Sequence, residues 1–378
     1  MNILHCITGL GVGGAESMLY NYLAYEYKNN SSHRHTVAYF YHGPFVQKIE
    51  ALGIATYQIK GLLCTYDPLF YFRLKNYIKQ QSPDIIHAAL WSANIFCRII
   101  GSQLKIPVIC DLHGDVAYHG WIRNSIEKLT AHMPTQFIAV SDSVKESFDT
   151  HILNNTISGQ VVTIENGIDT ENFIHNLIPA STIRTTFGFT SDDFIIGTVG
   201  RHVAIKNHFL LIQAFALFIQ NFDKKRQTNI KLCLIGDGPE RKNLESLAQK
   251  LGVFSKVHFL GMQTDASKMY NLFDLFVLCS KSEGLSIALL EALTAKIPTI
   301  CTAPTKGHDI LTHEVDGLLL PYQTNAQELA RAMRRLYTDH ELVKTVTTGM
   351  HALQNRITLH TTIDKYKNIY ATLASQKS

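Results

Sequence analysis

The stretch that decides the fold is FIIGTVGRHVAIKN at residues 194–207. Its first half is a continuous apolar run that ends at Gly200, and such a run predicts a strand buried on both faces of a parallel sheet. Arg201 and Lys206 follow the end of this strand. The N-terminal stretch NILHCITGLGVGGAE at 2–16 has the same arrangement, a buried strand that leads through glycines into a helix. The chain therefore contains two segments that each open an α/β unit.

Short apolar runs alternate with amphipathic helical stretches around both segments, which predicts an α/β fold with parallel sheets and crossover helices. A polar stretch at 169–193 separates the two series and is interpreted as a linker. We therefore predict two doubly wound domains, at 1–178 and 179–357. The predicted strands are 2–8, 35–41, 84–88, 107–112, 136–140, 161–164, 195–200, 231–236, 257–260, 275–278 and 299–302.

Composition limits the classes of function. The 378 residues suffice for two domains, and 46% hydrophobic with 17% charged residues is typical of a folded protein. A net charge of +4 gives no reason to expect a nucleic-acid partner. The seven cysteines form no metal-finger spacing, and the start of the chain lacks the features of a signal peptide. We expect a cytoplasmic protein.

The first glycine-rich loop follows the first strand. Gly9, Gly11 and Gly14 have the G-x-G-x-x-G spacing that lets backbone amides approach a phosphate at a helix start. A nicotinamide-dependent oxidoreductase is therefore one hypothesis, but it requires an acidic residue at the end of the second strand. Strand 35–41 ends without one, and the next carboxylate is Glu50. A purely structural tight turn is the other interpretation of this loop.

Two cations follow the strand that opens the second domain. The planar guanidinium of Arg201 and the point charge of Lys206 suit a diphosphate, and they would stabilise charge that develops on a departing nucleotide. The alternative is a pair of ordinary surface cations. A helix N-terminus disfavours cations, so their position favours a bound anion.

The stretch SKSEGLSIALLEA at 280–292 comes directly after another apolar strand. If Ser286 begins a helix, Glu283 lies in the turn before it and Glu291 lies further along the helix. Carboxylates accept hydrogen bonds from sugar hydroxyls, and amides of the turn hold a phosphate. Helices with two glutamates are common, so the spacing of the glutamates alone is weak evidence. The position of the stretch directly after a buried strand is what favours a ligand-binding role.

Taken in order, these stretches resemble glycosyltransferase family 4. The resemblance extends over nearly the whole chain and implies the GT-B fold: two Rossmann-like domains that face each other across a cleft, with a C-terminal helix at about 358–376 that returns to the first domain. It also implies a retaining enzyme that moves a sugar from a nucleoside-diphosphate sugar to a hydroxyl acceptor. The segments concerned are GGAE at 13–16, NGID at 166–169, GRHVAIKN at 200–207, GDGPER at 236–241, HFLG at 258–261 and SEGLSIALLEA at 282–292.

The resemblance assigns roles to particular residues. Arg201 and Lys206 would hold the donor diphosphate, Glu283 the hydroxyls of the donor sugar and Glu291 those of the ribose. His113, in the stretch DLHGD, would lie beside the sugar, and we count it with Arg201, Lys206 and Glu283 as catalytic. Backbone groups would complete the donor site, at Gly13, Gly14, Gly284, Leu285, Ser286 and Ile287.

Two positions depart from the family pattern. Lys296 stands where a helix-ending glycine is common, and Asp309, in the stretch 306–309, replaces a glutamate. Both bear on loop details around the donor and so on the identity of the sugar.

The residues favour a mechanism without an enzyme nucleophile. The sequence singles out no carboxylate for a double displacement, so we expect front-face transfer in which the leaving phosphate takes the proton of the acceptor. No Asp-x-Asp triplet occurs in the sequence. We therefore expect neither a metal nor a cofactor.

The acceptor is harder to predict. From the resemblance we expect a saccharide or a lipid-linked saccharide, used in the assembly of cell-surface polysaccharide. The stretch PLFYFRLKNYIKQ at 68–80 mixes aromatic and basic residues, which suits peripheral contact with the inner face of a membrane. The alternative is an ordinary amphipathic helix packed on the sheet. A GT-B protein that binds a sugar nucleotide without catalysis is the remaining hypothesis for the chain as a whole.

Overall fold

The structure, a computed structural model, describes residues 1–62, 67–118, 120–133, 135–154, 161–223, 227–302 and 310–375. It divides the chain into two compact units. Unit one comprises Met1–Gly167 and Leu359–Ser378, and unit two comprises Ile168–Thr358. The predicted boundary after residue 178 lies inside unit two. The division of labour between an acceptor domain and a donor domain stays a prediction.

Unit one is built on a parallel sheet in the order β3-β2-β1-β4-β5-β6-β7. The central strand β1 lies between β2 and β4, with Cys6 in register with Ala38 on one side and Ala88 on the other. The strands are β1 Asn2–Gly9, β2 Arg34–Tyr41, β3 Ala55–Gln58, β4 Ile85–Ala89, β5 Val108–Leu112, β6 Gln136–Ala139 and β7 Val161–Thr163.

Helices cover the sheet of unit one, and the last helix of the chain is one of them. It packs Ile363 and Tyr370 into the core, and Thr362 Oγ1 donates a hydrogen bond to the carbonyl of Glu165 at 2.8 Å. The expected return of the C-terminal helix to the first unit is therefore observed. These helices are α1 Gly14–Lys28, α2 Phe45–Glu50, α3 Pro68–Gln81, α4 Trp91–Leu104, α5 Trp121–Thr130, α6 Asp142–Phe148 and α14 Leu359–Ser375.

Unit two has a parallel sheet in the order β10-β9-β8-β11-β12-β13. Numbered within the unit this is 3-2-1-4-5-6, the Rossmann order. The strands are β8 Phe194–Val199, β9 Ile230–Ile235, β10 Val257–Gly261, β11 Leu275–Leu278, β12 Thr299–Thr302 and β13 Leu318–Leu320. The helices are α7 Thr170–His175, α8 Ala180–Thr186, α9 His208–Ile219, α10 Arg241–Lys250, α11 Ile287–Thr294, α12 Ala326–Thr338 and α13 His340–Gln354.

The most apolar helix of unit two lies in its core. Leu211, Phe215 and Phe218 of α9 are fully buried, and they belong to one cluster with Leu329 and Met333 of α12. A helix that is apolar on all sides is stable in water only when it is covered in this way. Within the described ranges, no helix combines the length and the apolar content that a bilayer span needs.

The polar stretch at 169–193 is not a simple linker, and that prediction was wrong. It contains α7 and α8 and belongs to unit two. Nη2 of Arg184 in α8 donates to both carboxylate oxygens of Asp274, at 2.8 and 2.7 Å, and Ile183 is buried. Few apolar side chains anchor these short helices. Their sequence therefore resembles a loop although an ion pair holds them to the sheet.

Lys296 ends α11 in the left-handed region, with φ of 58°. A side chain there costs about 1 kcal/mol or more, and glycine avoids this cost. We expect Lys296→Gly to raise the free energy of unfolding by about 1 kcal/mol. Chemical denaturation of the variant beside Lys242→Gly, placed inside the helix α10, tests this. Lys242→Gly should instead be destabilising, and a loss of stability in Lys296→Gly would contradict the argument.

Candidate active site

Neighbouring strands β8 and β11 create the topological switch point of unit two. The crossover helices leave in opposite directions on either side of this pair, which opens a crevice beyond the carboxyl ends of the strands. The segment 200–207 follows β8, and the segment 279–286 follows β11. Two of the motifs singled out in the sequence therefore share one edge of one sheet.

Lys206 and Glu283 meet at this edge. Lys206 Nζ lies 2.5 Å from Glu283 Oε1, and the same oxygen accepts a hydrogen bond from Ser280 Oγ at 2.5 Å. Both charged side chains are largely buried. The backbone amide of Lys281 donates to the carbonyl of Ile205 at 2.7 Å, which ties the two loops together. The site is thus a preformed ion pair. Ser280 was not foreseen, although its spacing of three residues from Glu283 was a usable signal.

Arg201 is exposed at the same strand end. Among the residues that the structure describes, its guanidinium has no ion-pair partner. The GDGPER segment supports its loop, because the amide of His202 donates to the carbonyl of Asp237 at 2.8 Å and the amide of Glu240 donates to that of His202 at 3.0 Å. A Cβ at Gly236 would lie 2.0 Å from the carbonyl oxygen of Gly200. The segment 236–241 therefore positions the loop at 200–207, which carries Arg201 and Lys206, and contributes no reacting group of its own in this interpretation.

Helix α11 begins next to the ion pair. Ser286 is its N-cap, with extended backbone and no capping hydrogen bond from its own side chain, and Ile287 is the first helical residue. Leu285 and Ile287 are buried. The positive end of this helix therefore faces the strand edge that carries Lys206 and Glu283, as an anion site requires.

Glu291 lies one turn into α11, beside the hydroxyl of Tyr270. Burial raises the pKa of the Glu291 carboxyl to about 7, although the nearby Tyr270 hydroxyl acts in the opposite direction. The Tyr270 ring is fully buried, and its hydroxyl also lies 3.1 Å from the carbonyl of Ala288. Tyr270 was missed because it lies in a helical turn that carries no motif.

This raised pKa leads to a prediction for donor binding. If ribose hydroxyls donate to the ionised Glu291 carboxylate, the binding-competent fraction rises as pH passes upward through about 7. The apparent Kd of the donor should therefore fall about tenfold between pH 6 and pH 8. Calorimetric titrations at both pH values test this, with Glu291→Gln as the matched control. A pH dependence that is equally steep in Glu291→Gln would contradict the assigned role.

In unit one, Gly13 caps α1 with extended backbone, and Gly14 is the first residue of the helix. A Cβ at Gly13 would lie 2.5 Å from Glu16 Oε2, so the carboxylate of Glu16 folds back over the loop. Gly43 braces the loop from the other side, since a Cβ there would lie 2.1 Å from the carbonyl oxygen of Leu10. The backbone contact at Gly43 explains that glycine without a bound dinucleotide, whereas a Cβ at Gly9 or Gly11 would meet only ordinary contacts.

His113 follows β5 and lines a partly open, mainly apolar pocket within unit one. Its Nε2 is 3.9 Å from Asp111 Oδ2, and it has no hydrogen-bond partner among the described residues. Burial lowers the pKa of His113 despite the nearby Asp111 carboxylate, so the imidazole is neutral at pH 7. His87 Nε2 lies 2.9 Å from the same Asp111 oxygen, and the other carboxylate oxygen, Oδ1, accepts a hydrogen bond from the Tyr366 hydroxyl at 3.2 Å. Asp111 was missed, although its position two residues before His113 was a signal.

The predicted site residues thus form two groups, each described within its own unit. Unit two contains Arg201, Lys206, Glu283–Ile287 and Glu291, and unit one contains Gly13, Gly14 and His113. Within unit two, Lys206 forms an ion pair with Glu283. Glu291 lies beside the hydroxyl of Tyr270. The stretch 306–309, where the sequence departs from the family pattern, lies outside the described residues.

Comparison with known proteins gives the class. The family model "Glycosyltransferase Family 4" matches residues 12–172, and the model "Glycosyl transferases group 1" matches residues 180–348. The crystal structure of Anabaena Alr3699/HepE in complex with UDP-glucose superposes with a TM-score of 0.84 at 21% identity, covering 98% of this chain and all of that one. The fold is therefore GT-B. The chain belongs to glycosyltransferase family 4, and it is a nucleotide-sugar glycosyltransferase.

Curated relatives agree with this class. The putative glycosyltransferase EpsF of Bacillus subtilis is 26% identical over 374 residues, which cover 93% of this chain and 94% of the relative. The UDP-Gal:alpha-D-GlcNAc-diphosphoundecaprenol alpha-1,3-galactosyltransferase of Escherichia coli is 23% identical over 309 residues, covering 79% of this chain and 78% of the relative. Family membership favours transfer over the oxidoreductase hypothesis.

Proposed function

We propose that this enzyme transfers a hexose from a UDP-sugar, with retention of configuration, to a hydroxyl of a lipid-linked saccharide. The observation that carries the proposal is the Lys206–Glu283 pair beside the start of α11, at the switch point of unit two. The names of relatives support the chemistry: the Escherichia coli relative uses UDP-galactose on a diphosphoundecaprenol acceptor, and the Anabaena protein binds UDP-glucose.

Each residue of unit two has a place in this proposal. Lys206 and Arg201 hold the diphosphate, and Glu291 accepts hydrogen bonds from the ribose hydroxyls. The diphosphate competes with Glu283 for Lys206, so Glu283 becomes available to the hydroxyls of the donor sugar. Before the donor binds, the ion pair thus holds both charged side chains desolvated and oriented for the donor.

The transfer step itself follows a front-face route. The bond between the anomeric carbon and the phosphate oxygen breaks, and the acceptor hydroxyl forms the new bond on the same face. The acceptor proton moves to the departing phosphate oxygen, so that UDP leaves as the second product. Lys206, Arg201 and the N-terminus of α11 stabilise the charge that grows on this phosphate. No metal is proposed for this step.

His113 would contact the sugar of the donor rather than its phosphates. Because burial keeps its imidazole neutral, it can exchange hydrogen bonds with a hydroxyl without adding a charge to the site. We assign it to a hydroxyl of the donor sugar, as the family resemblance implies. The acceptor is assigned to unit one.

Peripheral contact with a membrane would deliver such an acceptor. Helix α3 packs Phe70 and Leu74 into the core, while Leu69 and Phe72 stay 67% and 58% exposed beside exposed basic side chains. A second helix of unit one, α5, leaves Trp121 79% exposed. Exposed aromatic and basic groups of this kind suit the headgroup region of anionic lipids. We propose these two helices as the contact surface.

Sugar transfer in vesicles tests the proposed function. Wild-type protein is mixed with UDP-sugars one at a time and with vesicles that carry an undecaprenyl-diphosphate saccharide, in the presence of a chelator. We expect UDP release with one donor that depends on the acceptor, and an anomeric NMR signal of the product with the donor's configuration. Inversion of configuration would overturn the mechanism, and transfer only to soluble sugars would overturn the acceptor class.

A further inference from the structure

A cluster of nitrogen and oxygen donors lies in unit one, apart from every residue assigned above. Glu26 near the end of α1, His33 just before β2 and His35 within β2 place one donor atom each within 4.8 Å of one another. Histidines two apart at a strand start point to the same side of the sheet, which explains how His33 and His35 converge.

The two distances from the carboxylate to the imidazoles fit a shared cation better than they fit hydrogen bonds. Glu26 Oε2 lies 3.4 Å from His33 Nδ1 and 3.5 Å from His35 Nε2. Good hydrogen bonds between nitrogen and oxygen are about 2.7–3.2 Å long. In a tetrahedral zinc site with bonds of about 2.0–2.1 Å, neighbouring donors are about 3.3–3.4 Å apart, because the tetrahedron edge is about 1.63 bond lengths.

The two imidazole donor atoms, His33 Nδ1 and His35 Nε2, are also buried without a hydrogen-bond partner among the described residues. The side chains of Glu26 and His35 are 1% and 6% exposed, and His33, at 14%, offers a path from solvent. Unpaired buried nitrogen atoms aimed at one carboxylate oxygen cost stability unless something joins them.

Surrounding groups hold two of these side chains in the orientation that a metal needs. His35 Nδ1 lies 3.1 Å from His5 Nε2, and when Nδ1 carries the proton of this hydrogen bond, Nε2 is free to bind a metal. Ser31 Oγ donates to Glu26 Oε2 at 2.6 Å. Lys367 of the terminal helix contacts the other carboxylate oxygen, Oε1, at 2.8 Å, so it does not take the oxygen that the histidines face.

We propose that Glu26, His33 and His35 form a binding site for one divalent transition metal such as Zn²⁺, with the fourth coordination position open. Two imidazoles and a carboxylate are ligands that zinc accepts. The metal would join the end of α1 to the start of β2, next to the contact between α1 and the terminal helix. Its role is structural and independent of the proposed sugar transfer.

Titration with Zn²⁺ alone tests the site. Purified protein comprising residues 1–378 is freed of metal with a chelator, dialysed and titrated by calorimetry. We expect one Zn²⁺ per chain and a melting temperature about 5 °C higher at a hundredfold excess of zinc over Kd. His33→Gln and His35→Gln should each weaken binding about 100-fold or more, while His175→Gln, an exposed histidine of unit two, should bind as wild type does.

The results of these titrations distinguish zinc binding at Glu26, His33 and His35 from zinc binding at another place on the protein. Absence of stoichiometric binding by wild type would overturn it, as would binding that both cluster variants retain. If His35→Gln fails to fold by circular dichroism, anomalous scattering from crystals of the wild-type protein grown with zinc decides the matter. A peak between the three side chains supports the site, and a peak at any other place overturns it.

Discussion

Replacing Lys206 with alanine is expected to lower kcat for sugar transfer by about 100- to 1,000-fold. Lys206 is the cation that the structure holds at the switch point, largely buried and 2.5 Å from Glu283. Its positive charge is worth most when negative charge grows on the leaving diphosphate, because the site is desolvated. Steady-state release of UDP at saturating donor and acceptor measures the effect.

The control is Lys242→Ala, which removes an exposed lysine of α10 in the same unit. It should retain the kcat of wild type, which separates a local charge from the general charge of unit two. A Lys206→Ala enzyme whose kcat lies within about threefold of wild type would show that this lysine does not stabilise the leaving group.

Replacing Glu127 with alanine is expected to lower the free energy of unfolding of unit one by about 3–5 kcal/mol. Glu127 of α5 pairs with Arg98 of α4 at 2.5 Å, and the side chains are 3% and 0% exposed. The Arg98 guanidinium also lies over the ring of Phe137. Without Glu127, the Arg98 guanidinium remains charged and buried with no counter-charge, which destabilises the folded state.

Urea unfolding followed by tryptophan fluorescence measures the effect in the correct unit, since both tryptophans of the sequence, Trp91 and Trp121, lie in unit one. The double variant Arg98→Met with Glu127→Met should lose much less stability, because it removes both charges. Asp364→Ala, which breaks an exposed pair with His360, should change stability by less than about 1 kcal/mol. A Glu127→Ala protein as stable as Asp364→Ala would contradict the argument.

The central strands could be predicted from the sequence because burial on both faces produces continuous apolar runs. Two strands at the sheet edges were missed. The edge strand β3, Ala55–Gln58, has no fully buried residue, and β13, Leu318–Leu320, is only three residues long. Edge strands bury less surface and so leave a weaker apolar pattern. Lys206 and Glu283 could be placed together because each follows a strand and the topology joins those strands.

The polar interior of unit one could not be predicted. His5, His87 and Asp111 lie inside strands and are buried, where a sequence pattern suggests only interruptions of an apolar run. Their partners are distant in the chain, as His87 Nδ1 shows by its 2.6 Å contact with the Tyr370 hydroxyl. Tyr270 beside Glu291 is a similar case. Such contacts depend on tertiary packing, and the spacing of residues along the sequence does not predict them.

Donor binding by the wild-type protein tests the central claim most directly. Calorimetric titration with UDP-, GDP- and ADP-sugars and with nicotinamide dinucleotides, all in the presence of a chelator, compares the ligand classes on one protein. We expect a sugar nucleotide to bind, with UDP-sugars tightest, and Lys206→Ala to weaken this binding. Binding of a nicotinamide dinucleotide with no binding of any sugar nucleotide would contradict it.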